Sequence, residues 1–204
     1  MIEELNDNLQ MDAAYCSIVG RKTHNEDCAG VHTPNDQYLR SNKGIALVVA
    51  DGVSSAEAGR EASYTAVTRF IEEYYQTPDT WSAGHCGEKI LSTINLRLYR
   101  KSHEFATESK GYLTTFSAVV VKSHTAHFFH IGDSRIFRLH RDPDGKLQLS
   151  QLTRDHTAVL DENKATLSRA LGMDNRLNVD YGRVPLEEGD TLLLTSDGVH
   201  DFVG

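Results

Sequence analysis

The chain reads as short apolar runs separated by polar turns, interrupted by two longer stretches of a different period. Seven runs have strand length and strand composition: "AAYCSIVG" from Ala13, "GIALVVADG" from Gly44, "TTFSAVVVK" from Thr114, "AHFFHIGDS" from Ala126, "RIFRLH" from Arg135, "KLQLSQL" from Lys146 and "DTLLLTSDG" from Asp190. Between Arg141 and Lys146, "DPDG" sets proline and glycine for a tight turn, so the flanking runs predict a hairpin and a largely antiparallel sheet. After the first Asp-Gly the period changes. Ser54 and Glu57 have the spacing of a capping box, and Ala58, Ala62, Ala66, Phe70 and Tyr74 then recur every fourth residue. A second stripe carries Leu91, Ile94, Leu98 and Phe105. Each stripe leaves a charged face opposite, so each helix must cover something apolar. Strands, then two helices, then many strands predict an α+β sandwich with helices outside sheets, not an alternating βαβ fold.

Length and composition narrow the picture. At 204 residues the chain suits one domain, and no repeat, low-complexity tract or Pro/Gly-rich linker divides it. The expected limits are a short extension over 1–12 and a domain over 13–204. With 39% hydrophobic and 25% charged residues, disorder and coiled coil are poor readings. A net charge of −8 with no lysine or arginine run excludes nonspecific binding to nucleic acid or to an anionic membrane surface. Cys16, Cys28 and Cys86 form no CxxC pair and are odd in number, which fits a reducing compartment. The opening "MIEELNDNLQMD" has no basic start or apolar stretch, and no run is long enough to span a bilayer. A cytoplasmic protein is the expectation, with no membrane segment within these residues.

The candidate chemistry lies in acids at strand ends and turns. They are Glu26 and Asp27 in "HNEDCAG", Asp51, Asp133 in "HIGDSR", Asp155 in "LTRDHT", and Asp197 with Asp201 in "TSDGVHD". A single aspartate in such a place is ordinarily a turn former. If these ends converge, however, several carboxylates a few ångströms apart cannot all stay ionised without a counter-ion. Oxygen donors alone select a hard cation, Mg²⁺ or Mn²⁺. Gly52 and Gly198 would let the backbone turn tightly behind their aspartates. His124, His127 and His130 do not suit zinc, because His127 faces away from the other two on a strand. His156 reads as a buried hydrogen-bonding partner near the site.

Taken in order, "RKTHNED", "VVADGVSSAEAG", "TTFSAVVV", "HIGDSRIFRL", "LTRDHT", "LSRALG" and "LLLTSDGVHD" resemble the successive motifs of the metal-dependent protein serine/threonine phosphatases of the PPM class, also called type 2C. The resemblance covers the chain from about Ala13 onward. It implies a four-layer αββα sandwich, two central mainly antiparallel sheets flanked by helices, with metals at one edge. It makes Asp51 the carboxylate bridging two ions, gives Gly52 a contact through its carbonyl, and makes Asp197 a ligand of the first ion. Glu26 and Asp27 would hold metal-bound waters, directly or from behind. Asp133 with Asp197 would hold a third, weaker ion. Two or three Mn²⁺ or Mg²⁺ ions would then activate a water to attack phosphorus in phosphoserine or phosphothreonine, with no protein nucleophile. The partner implied is a phosphorylated protein.

Three features depart from the family pattern. Lys22 stands where an arginine usually grips the substrate phosphate, and Arg21 precedes it, so a point charge replaces a fork unless Arg21 shifts into place. "DGVSSAEAG" lacks the usual glycines and histidine, resembling a bacterial subgroup in which a protein kinase domain follows in the same chain. The family's closing Asp-Asn motif is not reached by Gly204, so the expectation is a fragment whose first metal site lacks one aspartate. Two other functions stay in view: a pseudophosphatase that binds phosphorylated partners without turnover, and a two-metal hydrolase of another phosphoester.

Overall fold

The computed structural model describes residues 10–53, 56–104, 111–161 and 164–202. Its elements in chain order are β1 (Asp27–His32), α1 (Gln37–Lys43), β2 (Ile45–Asp51), α2 (Ala56–Tyr74), α3 (Ala83–Glu104), β3 (Phe116–Lys122), β4 (Thr125–Ile131), β5 (Arg135–Arg141), β6 (Leu147–Gln151), β7 (Thr157–Asp161), β8 (Lys164–Leu167), β9 (Asp180–Pro185), β10 (Thr191–Thr195) and α4 (Asp197–His200). Ser54, and with it the Ser54–Glu57 capping box, and Phe105 lie outside the described residues.

Strand pairing produces a five-stranded sheet ordered β1-β2-β3-β4-β9, a three-stranded sheet ordered β10-β5-β6 and a separate β7-β8 ribbon, all antiparallel. The predicted hairpin is β5-β6, and Gly145 takes the left-handed conformation that its turn requires.

Alternation along the central strands sends side chains to two separate cores. Ala46, Val48, Ala50, Phe116, Ala118, Val120, Phe129 and Ile131 face α2 and α3. They meet the alanine stripe that the four-residue spacing predicts, ending in Phe70 and Tyr74, and Leu91, Ile94 and Leu98 from α3. Small residues on both surfaces let α2 lie close: a Cβ at Gly30 would come within 2.9 Å of Val67 and Ile71. The opposite face of the same sheet, with Leu47, Val119, Val121, Phe128 and Val184, packs on Ile136, Leu192 and Leu194 of the second sheet. The fold is thus an α+β sandwich of two antiparallel sheets. Among the described residues, the outer face of the three-stranded sheet leaves Leu147, Leu149 and Leu193 exposed.

One predicted strand is absent. Ala13–Gly20 is irregular and exposed, and Tyr15 and Ile18 point to solvent. Its composition suits a strand, but a strand exists only as one side of a ladder, and none of the described strands pairs with it. Conversely, "DCAGVH" and "DYGRVP", unremarkable by composition, are β1 and β9 because β2 and β4 offer them complementary edges. No described helix is long and apolar enough to cross a membrane.

Phe70 is fully buried against Phe116, Phe129 and Tyr74. Phe70→Ala should cost about 3–5 kcal/mol. Leu149, 61% exposed, should tolerate serine with a change of no more than about 0.5 kcal/mol. Urea denaturation with an unchanged m value checks both.

Candidate active site

Antiparallel pairing of β1 and β2 sets Asp27 directly opposite Asp51, the first residue of one strand against the last of the other. Hydrogen bonds carry the alignment past the ladder: Gly52 N–H donates to the Glu26 carbonyl at 3.2 Å, and Thr115 N–H donates to the Asp51 carbonyl at 2.8 Å. Gly52 serves a different purpose from the expected sharp turn. Its φ is not positive, but a Cβ there would overlap the backbone of Gly59 in the first turn of α2. Glycine is required by close approach, which brings the start of α2 down onto the strand end. Gly198 shows neither demand.

The third carboxylate arrives from the other sheet. β10 ends at Thr195, Ser196 occupies the N-cap position of α4, and Asp197 opens its first turn. The Ser196 hydroxyl makes no capping bond; it donates instead to the Asp27 carboxylate at 2.7 Å. A helix cap is forgone to tie the two strand ends together.

Electrostatics report the result. Asp51 is only 8% exposed. Burial first, and then the facing carboxylates of Asp27 and Asp197, push its pKa up to about 9. Asp133, on the turn between β4 and β5, is also raised, by burial and then by Asp197. Among the described residues no lysine or arginine forms an ion pair with Asp27, Asp51, Asp133 or Asp197. Nor, among those residues, do three or more His, Cys, Asp or Glu side chains lie together as a group placed to hold a metal ion.

The remaining predicted residues have partners of their own or stand outside this group. Lys22 Nζ stands 3.9 Å from the Glu26 carboxylate, with its side chain 65% exposed. It and Arg21 precede β1 in an irregular segment. Asp155 is not free to join the cluster: burial pushes its pKa up, but Arg135, which donates to both its oxygens, together with His200 and Gln151 holds it below the usual value. Asp201 is exposed beside His200. His156 is a buried hydrogen-bonding partner, as read from sequence. Its Nδ1 accepts from Gly132 N–H at 3.1 Å and its Nε2 faces Asp180 at 2.9 Å. Burial lowers its pKa even against that carboxylate. His127 bonds to the Tyr181 hydroxyl and His130 to Ser117, on opposite faces of β4.

Sequence reasoning missed the hydroxyls. Thr114 donates to the Asp51 carbonyl, Thr115 accepts from Asp51 N–H, and Ser134 bonds to Thr115. Each is buried, and each adjoins a residue already singled out. The available signal was the pair of threonines opening "TTFSAVVV", polar residues at the mouth of an otherwise apolar strand.

A family model described as Protein phosphatase 2C matches residues 21–203. The serine/threonine phosphatase stp of Listeria innocua is 30% identical over 219 residues, spanning 95% of this chain and 79% of that protein. The protein phosphatase PhpP of Streptococcus pneumoniae is 27% identical over 216 residues, spanning 95% and 80%. In fold, the chain superimposes on the crystal structure of serine/threonine phosphatase Stp1 from Staphylococcus aureus with a TM-score of 0.76 at 23% identity, covering 96% of this chain and 80% of that one. With nearly its whole length matched in this way, the chain belongs to the protein phosphatase 2C family.

Proposed function

We propose that the chain hydrolyses phosphoserine and phosphothreonine in proteins at the sheet edge where Asp27, Asp51 and Asp197 meet. The observation that carries the reading is the convergence of these acids around a buried Asp51 with no cationic side chain paired to them among the described residues. Such a group fits a hard divalent cation: every donor is oxygen, and an incomplete protein shell suits ions that keep several waters. Asp51, the Gly52 carbonyl, Asp197 and Asp27 would hold two Mn²⁺ or Mg²⁺ ions, with Glu26 orienting water and Asp133 with Asp197 holding a third, weaker one. Bound there, the ions supply charge neutralisation at the phosphoryl oxygens and bring the pKa of a water towards neutrality.

The chain's own contribution is position and charge. Asp51 and Asp27 are fixed by a ladder, Asp197 by the bond from Ser196 to Asp27, and the Gly52 backbone by its N–H bond to Glu26 and its close approach to Gly59. Lys22, tethered loosely to Glu26, is long and exposed enough to meet an incoming phosphate. Among the described residues, no feature of the site favours a binding module without turnover.

Phosphopeptide hydrolysis should require added Mn²⁺ or Mg²⁺ and vanish in chelator; full activity in chelator refutes the mechanism. Asp51→Asn should lower kcat by about two to three orders of magnitude at saturating metal, roughly the cost of losing one electrostatic stabiliser of the transition state.

The metal-free protein should have an inverted pH dependence. Raising a carboxylate from 3.8 to about 9 means that the folded state keeps a proton which the unfolded state releases. Stability is therefore greatest below the unfolded value and falls as pH rises towards about 9. In chelator, melting temperature should decline between about pH 5 and 8, and Asp51→Asn should flatten that decline. A wild-type profile already flat would show that the charges do not face one another.

Lys22→Ala should raise KM for phosphopeptide several-fold, and Lys22→Arg should match or improve the wild type, because a fork fits phosphate better than a point charge. If Arg21→Ala is damaging and Lys22→Ala silent, the phosphate is held one residue earlier.

A further inference from the structure

Asp133 and Asp51 belong to different segments, and what sets their separation is not the sheet ladder alone. The turn carrying Asp133 runs from Gly132 to Ser134, between β4 and β5, and both of its flanking residues are held. Gly132 is held by His156: Gly132 N–H donates to His156 Nδ1 at 3.1 Å, and His156 N–H donates back to the Gly132 carbonyl at 2.7 Å. His156 is in turn set by Asp180, which Arg169 grips at 2.7 Å.

On the other side Ser134 is held by Thr115. The two hydroxyl oxygens are 2.8 Å apart, and both residues are almost fully buried. Thr115 Oγ1 already accepts from Asp51 N–H at 2.9 Å, which leaves its own proton free to go to Ser134. Thr115 also donates its backbone N–H to the Asp51 carbonyl. It therefore touches the main chain of Asp51 twice and the Asp133 turn once. The turn accommodates it only because residue 132 is glycine: at a φ of +108°, a Cβ there would lie 2.6 Å from the Thr115 Cβ. Behind Ser134, the Ser117 hydroxyl donates to the Ser134 carbonyl at 3.3 Å and lies 2.9 Å from His130 Nδ1, while His130 Nε2 faces the Arg154 carbonyl at 3.1 Å.

From this arrangement we infer that the Thr115–Ser134 hydroxyl pair is a positioning device: it locks the Asp133 turn to the end of β2 and so governs binding of the weaker cation. The inference rests on the metal-dependent reading above. Thr115 and Ser134 touch neither cation nor substrate; they act through Asp133 and Asp51.

The test uses metal-stripped protein and Mn²⁺ alone, followed by titration calorimetry, with phosphopeptide kinetics alongside. Thr115→Val keeps the shape and removes the hydroxyl; Thr115→Ser keeps the hydroxyl. Ser134→Ala, which removes the hydroxyl pair but leaves Asp51 N–H its acceptor, should bind the weaker Mn²⁺ about tenfold less tightly, a loss of about 1.4 kcal/mol, while the tighter ions stay within about twofold. Its kcat at limiting Mn²⁺ should fall and KM for phosphopeptide should hold. Thr115→Val, which also takes the acceptor from Asp51 N–H, should weaken the weaker ion at least as much and the tighter ions with it, and the serine variant should behave as wild type. Wild-type binding in the alanine variant, equal damage in valine and serine, or a proportional loss at every ion in the alanine variant would each overturn the inference. Absence of any Mn²⁺ binding by the wild-type protein would instead overturn the metal-dependent reading, and the positioning role with it.

Discussion

Carboxylates crowded at one sheet edge repel each other, and most of the structure can be understood as the means of holding them there. Two ionised groups about 4 Å apart would repel by about 4 kcal/mol at an effective dielectric constant of 20, a large fraction of a domain's net stability, and burial together with this repulsion is why Asp51 holds its proton. Asp27, Asp51 and Asp197 nonetheless approach one another because each is the end of something that cannot move independently. Asp51 ends a strand paired on both sides, Asp27 begins the strand beside it, and Asp197 is tied across by Ser196.

That rigidity comes from the two cores. The five-stranded sheet is buried on both faces, by α2 and α3 on one and by the second sheet on the other, so its strands can neither slide nor tilt without opening an apolar surface. A slip of one residue in β2 would exchange Ala46, Val48 and Ala50 with Leu47 and Val49, and would turn Asp51 away from the edge. Packing and chemistry are thus enforced by the same register. The Gly52–Gly59 contact extends the constraint to α2, which lies over the strand end as well as over the core.

Periodicity made the core legible. The alanine stripe of α2, Leu91, Ile94 and Leu98 of α3, and the apolar runs ending in Asp-Gly all appear where their spacing puts them, because burial on one face is written locally. Pairing is not local. "AAYCSIVG" looks more like a strand than "DCAGVH", yet the second is β1, since its outcome was decided by an edge elsewhere in the chain. The acids of the site were legible as a set through their motif order, and Asp155 was separated from them by an arginine whose reach no spacing announces. Thr115, Ser134 and Ser196 escaped notice for a related reason: a hydroxyl is common on any surface and becomes significant only when burial leaves it one partner.

The bond between Ser196 and Asp27 joins residues 169 positions apart. At a synthesis rate of about 5–20 residues per second, the first two carboxylates leave the ribosome roughly seven to thirty-four seconds before the third. During that interval β1 and β2 can pair, and α2 can dock, but the edge has only two of its acids and no tie across the sheets. The three carboxylates can therefore meet only after β10 has paired with β5, a step that waits for both sheets to form.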